Sequence, residues 1–378
     1  MDFILPKKDL LRLVTRCNGV ADKKSAMPAL ANVLLVADNN ELRASATDLY
    51  LGVSGTTHAD VSKPGSVAVP AKDLLERIKA MPDGPVQLLV NVESQMTLKA
   101  VGSPRRYTIS GTPGSEFPKL PKALAGATSV EIPIESLALL IARTGFSISS
   151  DETRPNVNSA LFEWTGSLAR WVSTDGHRLS KMDLTVADSD ARLNMLLPLK
   201  AVNELRRLCD EAKSDKASNG KVTITHSSPN AFFEIAGMTF SVKLVDAQFP
   251  PYEQVIPAVS NHTVRAPRLA LRDALKAVSL AASDRTGAVK LSFAANTLRI
   301  TSESPDSGNG FDEIAVDYSG EPLTIGFNAK YIMDTLDAID DEEVLLSVSG
   351  ELDPALIKPA TEIEGQSYTA VAMPLRVT

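Results

Sequence analysis

An internal repeat constrains the fold of this chain more than any other feature of its sequence. A proline followed four residues later by leucine begins an apolar segment at Pro6, at Pro133 and at Pro267, so the spacings are 127 and 134 residues. The apolar residues after each proline keep the spacing of an amphipathic helix, and a proline in the first turn suits helix initiation. A pattern that recurs in this way indicates three copies of one structural unit.

A second helix is predicted in each copy, because similar segments surround Lys72, Lys200 and Lys330. Alternating apolar residues between the two helices predict antiparallel strands joined by tight turns. The predicted helices span residues 7–18, 71–81, 134–144, 199–213, 268–282 and 329–339, and the clearest predicted strand pairs are 32–36 with 42–45, 160–163 with 170–173 and 289–293 with 298–301. The chain is therefore predicted to be an α+β protein of three repeated domains, each with two helices and antiparallel sheets.

The length and composition agree with a three-domain globular protein. The 378 residues are 44% hydrophobic and 22% charged, which is ordinary for folded domains. A Phe-Pro pair recurs at residues 117–118 and 249–250, near the end of the first two copies. The predicted domains are residues 1–126, 127–255 and 256–378.

The sequence contains no motif typical of catalysis, metal binding or membrane insertion. The four histidines are scattered, the two cysteines form no CxxC pair, and no phosphate-binding glycine loop or GxSxG motif occurs. No apolar run approaches the roughly 18 residues that a membrane span needs, and nothing resembles a secretion signal. The sequence therefore favours a cytoplasmic, non-catalytic protein without a metal or cofactor and without a membrane partner.

Charge is distributed unevenly between the predicted helices and the rest of the chain. The net charge is −7, yet the six predicted helices contain 16 Lys and Arg against 10 Asp and Glu, so they carry +6 and the remainder carries −13. Helices that lined one surface would present a positive wall to a polyanion. Ordinary solvated helix faces with local charge pairs remain an equally good interpretation of the count alone, and the sixth helix does not fit the basic pattern.

Helix packing limits how such a wall could surround DNA. Neighbouring helices lie about 10 Å apart, so a ring of six would leave a bore of only about 9 Å. Twelve helices from two chains would leave a bore of roughly 28 Å, wide enough for a duplex about 20 Å across. A ring of this chain that encircles DNA must therefore be a dimer.

The whole chain resembles the bacterial DNA polymerase III beta subunit family, the sliding clamps. The resemblance is carried by an ordered set of motifs: Met27–Asn32, Thr47–Leu49, Val69–Lys72, Phe146–Ser147, Asp151–Arg154, Thr174–Leu179, Lys243–Asp246, Phe249–Pro250 with Tyr252, Gly326–Asn328 and Met373–Arg376. It implies a head-to-tail homodimer whose six clamp-type domains form a ring with the helices lining the central hole. It further implies a processivity factor that encircles double-stranded DNA without reading its sequence and tethers polymerase to it.

The resemblance also implies partners and a peptide-binding pocket between the second and third domains. The partners would be the replicative DNA polymerase alpha subunit, the clamp loader and other proteins with a clamp-binding motif, such as repair polymerases, mismatch-repair proteins and ligase. By residue-to-residue matching, the pocket would contain Val157, Thr174, Gly176, His177, Arg178, Leu179, Pro250, Gln254, Val255, Asn328, Tyr331, Pro354, Val371, Met373, Pro374, Leu375 and Arg376. Gln254 and Pro155-Asn156 depart from residues that occur in other members, which points to an altered peptide preference.

Matching to the family also implies DNA contacts and a dimer edge. The DNA-binding residues would be Lys24, Arg154 and Lys200, joined by the helix residues Lys72, Arg77, Arg206, Arg207, Arg272 and Lys276. The dimer interface would use Tyr107 and Ile109 from a strand of the first copy and Leu280 and Ala281 from a helix of the third. Tyr107 and Ile109 fall on one face of a strand, and packing within the chain is the alternative for these four residues.

Two other functions remain open at this point. A clamp paralogue with altered partners would keep the ring and change the pocket. A hydrolase would use Asp175 and His177, which stand two residues apart. From the residues alone, Asp175-Gly176 is a turn signal after a strand, and a plain hairpin explains the segment better than an acid–base pair.

Overall fold

The protein forms two compact units, each built from two separate stretches of chain. The structure is a computed structural model and describes residues 1–214, 218–283, 286–305 and 307–376. The first unit comprises Met1–Leu137 and Glu204–Leu244, and the second comprises Ala138–Asn203 and Val245–Thr378.

Six α-helices lie within the described residues, two in each predicted copy. They are α1 Lys7–Asn18, α2 Ala71–Ala80, α3 Ile134–Thr144, α4 Leu199–Ser214, α5 Arg268–Ser279 and α6 Ala329–Asp337. The predicted helices are confirmed, with ends that differ by at most three residues. Helix α5 stops early because the amides of Leu280, Ala281 and Ala282 bond three residues back, which tightens the chain into turns. Across the described residues, no helix is both long and apolar enough to cross a membrane.

The repeated proline precedes the helix, in agreement with the predicted helix starts, and does not lie in the first helical turn. Pro6 and Pro267 are the N-cap residues of α1 and α5, with extended backbone angles, rather than members of the first helical turn. Proline suits this position because its fixed φ fits the end of a strand, and it has no amide hydrogen to leave unsatisfied. Asn328 precedes α6 instead, and its side chain accepts a hydrogen bond from the amide of Lys330.

Each copy contributes eight to ten strands within the described residues. Those of the first copy are β1 Asp2–Pro6, β2 Asn32–Asp38, β3 Glu41–Thr47, β4 Leu51–His58, β5 Asp60–Lys63, β6 Gly65–Pro70, β7 Pro85–Val90, β8 Gln95–Ala100, β9 Arg106–Ser110 and β10 Thr112–Pro113. Those of the second are β11 Thr128–Pro133, β12 Ser159–Thr165, β13 Leu168–Thr174, β14 Arg178–Thr185, β15 Arg192–Pro198, β16 Lys221–Ser227, β17 Asn230–Ile235 and β18 Met238–Lys243. Those of the third are β19 His262–Pro267, β20 Ala288–Ala294, β21 Thr297–Ser304, β22 Gly308–Ala315, β23 Leu323–Asn328, β24 Glu343–Val348, β25 Ala355–Pro359 and β26 Gln366–Ala372.

Two large antiparallel sheets each combine strands from two consecutive copies. The first unit holds a nine-stranded sheet in the order β10-β6-β2-β3-β4-β18-β17-β16-β11. The second holds an eight-stranded sheet in the order β15-β12-β13-β14-β26-β25-β24-β19. The joining pairs are β4 with β18 and β14 with β26, so equivalent strands make the connection in both sheets.

Two smaller sheets remain, one in each unit. The first copy contributes a five-stranded sheet, β5-β1-β7-β8-β9, and the third copy a four-stranded sheet, β22-β21-β20-β23. Strand β9 and strand β22 are edges of these sheets. By their order in the repeat, β9 is equivalent to β18 and β26, while β22 is equivalent to β4 and β14.

The helices bury the apolar stripe that the repeat predicted. Leu10, Leu13 and Val14 of α1 and Leu271 and Leu275 of α5 are at most 4% exposed. Each such side chain contributes roughly 1.5–3 kcal/mol by leaving water. The hydrophobic effect therefore fixes the helices on the sheets and leaves their charged faces outward.

Candidate functional site

An apolar pocket opens on the second unit, where the β13–β14 hairpin meets the end of β26 and the segment at residues 250–255. It encloses about 450 Å³, including solvent at its mouth. Mostly apolar pockets of this size with a few polar groups are typical ligand sites. The lining residues, which define the apolar pocket from here on, are Val157, Thr174, Gly176, Arg178, Leu179, Pro250, Tyr252, Val255, Val371 and Met373.

The floor of the apolar pocket is part of the hydrophobic core. Leu179 of β14 lies opposite Val371 of β26 in the sheet, and both are nearly fully buried. They pack in one cluster with Tyr252 and Leu356, and Phe249 packs against that cluster. Because the sheet holds these side chains on one face, the floor is rigid before any ligand arrives.

A tight turn, Thr174–Arg178, forms one rim of the apolar pocket and is called the pocket turn below. The hydroxyl of Thr174 donates to the carbonyl of Arg178 at 2.6 Å and accepts from the amide of Gly176 at 3.1 Å. The Asp175 carboxylate accepts from the amides of His177 at 2.9 Å and Arg178 at 3.1 Å. Gly176 has φ +94°, a left-handed conformation that glycine adopts without strain.

Arg178 ties the pocket turn to helix α6. Its guanidinium bonds Asp175 Oδ2 at 3.0 Å, Asp334 Oδ2 at 2.6 Å and the carbonyl of Phe146 at 2.6 Å. The guanidinium carbon also lies 4.7 Å from the ring centre of Tyr331, which makes a cation–π contact. With its donors and its flat face both engaged, Arg178 contributes its aliphatic stem to the apolar pocket and holds the turn in place.

Tyr252 lines the apolar pocket although it was absent from the predicted pocket residues. Its ring is buried, while its hydroxyl accepts from Arg170 Nη1 at 3.0 Å and donates to Glu163 Oε2 at 3.1 Å. Burial raises the pKa of Tyr252, and the negative charge of Glu163 adds to this, so the hydroxyl remains protonated. An aromatic residue two positions after the repeated Phe249-Pro250 pair is the only sequence signal for it.

The structure brings many of the predicted pocket residues together. Val157, Thr174, Gly176, Arg178, Leu179, Pro250, Val255, Val371 and Met373 line the apolar pocket, and the lining does not include His177, Gln254, Asn328, Tyr331, Pro354, Pro374, Leu375 or Arg376. His177 and Tyr331 stack with ring centres 6.3 Å apart, just behind the rim. Leu375 and Arg376 line a separate cleft with Lys290 and Leu352. The C-terminal segment therefore lines the apolar pocket as far as Met373, and its last described residues line the second cleft.

The predicted DNA-contacting residues differ in their exposure to solvent and in their ion pairs with carboxylates. Lys24, Lys72, Lys200, Arg206 and Lys276 are exposed. Arg77, Arg207 and Arg272 are half-buried and paired with carboxylates: Arg77 with Asp73 at 3.6 Å, Arg207 with Glu204 and Glu211, and Arg272 with Asp337. These four ion pairs, together with that of the exposed Lys72 with Glu76 at 3.8 Å, reduce the positive field that the helix count suggested.

Arg154 lies beside the apolar pocket. Its Nε bonds Asp151 Oδ2 at 3.0 Å, and its Nη2 donates to the carbonyl of Asp175 at 3.1 Å. The guanidinium is thereby fixed next to Gly176. Although it was predicted as a DNA contact, it is placed where it would also meet a ligand that leaves the apolar pocket over the turn.

Of the four predicted dimer residues, two are accessible to solvent and two are buried within the chain. Leu280 is 83% exposed at the end of α5, and Tyr107 is half-buried on the edge strand β9. Ile109 and Ala281 are 4% and 8% exposed, so both already pack within a single chain. Contact with a second chain would therefore depend chiefly on Leu280 and Tyr107.

The groups that could support hydrolysis are engaged in structure. Asp175 is held by main-chain amides and by Arg178, while the exposed His177 stacks on Tyr331. Burial raises the pKa of the Cys17 thiol to about 12, so it is not poised as a nucleophile. No cluster of three or more potential metal ligands occurs in the described part of the chain.

Comparison with known domain families covers almost the entire chain. The DNA polymerase III beta subunit N-terminal domain matches residues 1–121, the central domain matches 131–251 and the C-terminal domain matches 253–376. The chain belongs to the DNA polymerase III beta subunit family. Members of this family are sliding clamps, which are non-catalytic processivity factors, so the hydrolase hypothesis for Asp175 and His177 is wrong.

Full-length relatives and solved structures agree with this assignment. The beta sliding clamp of Pseudomonas putida is 31% identical over 379 residues, covering all of both chains. The DNA polymerase III subunit beta from Pseudomonas aeruginosa has a TM-score of 0.92 at 30% identity, again over all of both chains. The sliding clamp from Bartonella birtlesii, solved bound to griselimycin, has a TM-score of 0.92 at 31% identity with the same coverage.

Proposed function

We propose that two copies of this chain close head to tail into a ring that encircles duplex DNA and tethers the replicative polymerase to it. One observation carries the proposal: consecutive copies are joined by equivalent strand pairs, β4 with β18 and β14 with β26. The third pair of this series would be β22 with β9. Strand β22 is an edge of the small sheet of the third copy, and β9 is an edge of the small sheet of the first copy. Pairing β22 of one chain with β9 of another would give each chain the same junction three times, which is what a closed head-to-tail ring requires. In this proposal the domains are residues 1–126, 127–255 and 256–378.

Exposed apolar side chains at those edges fit a protein interface. Phe311 on β22 is 67% exposed and Leu280 at the end of the neighbouring α5 is 83% exposed, so two large apolar side chains are exposed beside one strand edge, as in an interaction patch. Tyr107 on β9 would supply an aromatic counterpart. An unpaired strand edge beside such residues is a template for pairing with a second chain.

Replacing Leu280 by Asp is expected to convert the dimer into a monomer at low micromolar concentration. The carboxylate would be desolvated in the interface without a partner, which costs several kcal/mol. Light scattering should then give 40.4 kDa instead of twice that mass. Val259→Asp is the matched control, since Val259 is 79% exposed outside the proposed interface, and a control that also dissociates would contradict the assignment.

DNA would be held by topology and by phosphate contacts. The exposed Lys24, Lys72, Lys200, Arg206 and Lys276 supply cations without base-reading geometry, so binding should be independent of sequence and sensitive to salt. After loading by the clamp loader, the dimer should remain on a nicked circular plasmid through gel filtration. Cutting the plasmid once should release it. Retention on linear DNA, or release from circles, would refute encirclement.

The apolar pocket would bind short, partly apolar peptides from partner proteins. Buried Leu179 and Val371 offer anchoring contacts, while the pocket turn and the main chain offer polar ones. We propose the polymerase alpha subunit, the clamp loader, repair polymerases, mismatch-repair proteins and ligase as partners, in the cytoplasm. The griselimycin complex of the Bartonella birtlesii clamp shows that a related clamp accepts a bound ligand.

A clamp paralogue with altered partners is the second candidate. It is favoured by Pro155-Asn156 beside Arg154 and by Gln254, which lies outside the lining of the apolar pocket. Such a paralogue would form the same ring but bind the polymerase alpha peptide weakly. Direct titration of that peptide distinguishes the two candidates.

A further inference from the structure

The first copy contains a turn built like the pocket turn. Thr47–Leu51 joins β3 to β4, and the hydroxyl of Thr47 donates to the carbonyl of Leu51 at 2.7 Å and accepts from the amide of Leu49 at 3.0 Å. The Asp48 carboxylate accepts from the amides of Tyr50 at 2.9 Å and Leu51 at 2.6 Å. Each of these four bonds has its counterpart in the pocket turn. The two turns are therefore structural equivalents 127 residues apart.

The next strand meets both turns in the same way. The amide of Lys243, at the end of β18, donates to the carbonyl of Tyr50 at 2.8 Å. The amide of Met373, just after β26, donates to the carbonyl of His177 at 2.9 Å. The surroundings of Thr47–Leu51 thus correspond residue by residue to one side of the apolar pocket.

The two sites differ at the left-handed position of the turn. Gly176 has φ +94° and leaves the rim of the apolar pocket open. Leu49 occupies the same place with φ +77°, an uncommon conformation for a bulky residue, and its side chain is 53% exposed. A leucine at this position covers the surface that glycine leaves bare.

The floors of the two sites differ as well. Leu179 forms the floor of the apolar pocket, whereas its equivalent in the first copy is Gly52. A Cβ atom on Gly52 would lie 2.5 Å from Ser241 Oγ and 3.2 Å from a methyl carbon of Leu120. The space above the floor is therefore taken by Leu120, which stands at the repeat position of Tyr252.

We propose that the first copy holds a closed counterpart of the apolar pocket, from which Leu49 at the left-handed position and Leu120 above the floor exclude a peptide, and that the bare Gly176 is what keeps the rim of the apolar pocket open. The inference deepens the proposed peptide binding and rests on it. Gly176 then acts as a specificity-determining residue, because the absence of a side chain lets a peptide backbone cross the rim. Leu49 with Leu120 explains why one chain offers one site and not two.

The occluding effect of a side chain can be separated from backbone strain. Apart from its two chain neighbours, the only atom of the described residues that a Cβ on Gly176 would meet within 4 Å is Arg154 Nη1, at 3.7 Å, so a small substituent has room even though φ +94° strains it. Leu49 shows that this turn also accepts leucine in the folded chain. Asparagine has the same number of side-chain heavy atoms as leucine and adopts positive φ readily. Leucine and asparagine therefore test bulk, while alanine tests strain without bulk.

The test is a fluorescence-anisotropy titration of a labelled peptide carrying the clamp-binding motif of the polymerase alpha subunit. For the full-length dimer, Gly176→Leu and Gly176→Asn are expected to weaken binding at least 50-fold, and Gly176→Ala less than fivefold. Leu49→Gly, the matched control in the equivalent turn, should leave the affinity unchanged. Isothermal titration should give one peptide per chain for the unsubstituted protein.

The outcomes separate this inference from the proposed function. If the unsubstituted protein binds no peptide, the proposed pocket function fails. If it binds and both Gly176→Leu and Gly176→Asn bind within threefold of it, the inference is overturned while the pocket function survives. Equal losses for alanine and leucine would assign the effect to strain and would also overturn it. A thermal melt shows whether each variant is folded. If Gly176→Leu does not fold, Gly176→Asn alone tests the effect of side-chain bulk.

Discussion

Truncating the chain after Ala372 is expected to weaken peptide binding at least 100-fold while leaving the dimer intact. The truncation removes Met373, whose side chain lines the apolar pocket and whose amide fixes the carbonyl of His177 at 2.9 Å. Loss of the contacts of the half-buried Met373 costs at most about 1.5–3 kcal/mol, and loosening of the pocket turn adds to this. Strand β26 ends at Ala372, so its pairing with β14 is retained. Fluorescence anisotropy and light scattering measure the two effects on one sample.

Point substitutions locate the effect within the removed segment. Met373→Ala should weaken binding about tenfold, in keeping with roughly 1.4 kcal/mol per factor of ten. Arg376→Ala, in the separate cleft with Leu352, should bind as the unsubstituted protein does. Full binding by the truncated chain would show that the apolar pocket is not the peptide site.

The elements of this fold are predictable from sequence because local chemistry repeats three times. The helix that starts after Pro6 was predicted to end at residue 18 and does so, since the apolar stripe and the proline act within one segment. The turn at Asp175-Gly176 was likewise predicted from its residue types and forms the predicted hairpin. The ends of the predicted helices and strands differ from the observed ends by up to three residues, because single hydrogen bonds decide where an element stops.

The joining of sheets across copies was not predictable in this way. Strand β4 pairs with β18, nearly two hundred residues later, and neither strand's alternation identifies its neighbour. The charge count left local charge pairs open, but it could not tell which helix cations are paired, for the same reason. Arg207 looks like any helix cation in the sequence, yet its partners include the carbonyl of Arg16, 191 residues away.

The predicted site depended on family resemblance more than on pattern. Val157, Pro250 and Val371 are distant in sequence and carry no local signal, and only matching to the family placed them together. Tyr252 was missed because its role depends on burial and on hydrogen bonds with Arg170 and Glu163. Residues that act through long-range packing are thus the ones that a single sequence does not reveal.

A buried network of charges joins α1 to α4 within the first unit. Arg207 bonds both carboxylate oxygens of Glu204, one of Glu211 and the carbonyl of Arg16, whose own guanidinium lies 3.4 Å from Glu211. The side chains of Glu204 and Arg16 are 9% and 8% exposed, so solvent screens them little. Burial removes the water that would otherwise stabilise these charges, so each charge is stabilised mainly by its oppositely charged neighbours in the network.

Replacing Arg207 by Ala is therefore expected to lower the free energy of unfolding by about 3 kcal/mol, because Glu204 would remain buried without its main counter-charge. Urea unfolding followed by circular dichroism measures the change. Arg206→Ala is the matched control, since Arg206 is exposed on the same helix and should shift stability by less than about 0.5 kcal/mol. The double variant Glu204→Ala/Arg207→Ala should be less destabilised than the sum of the single variants, because removing both charges leaves neither one stranded. Equal effects of the Arg207 and Arg206 substitutions would mean that the network contributes no stability, and α1 would then be held on α4 by apolar packing alone.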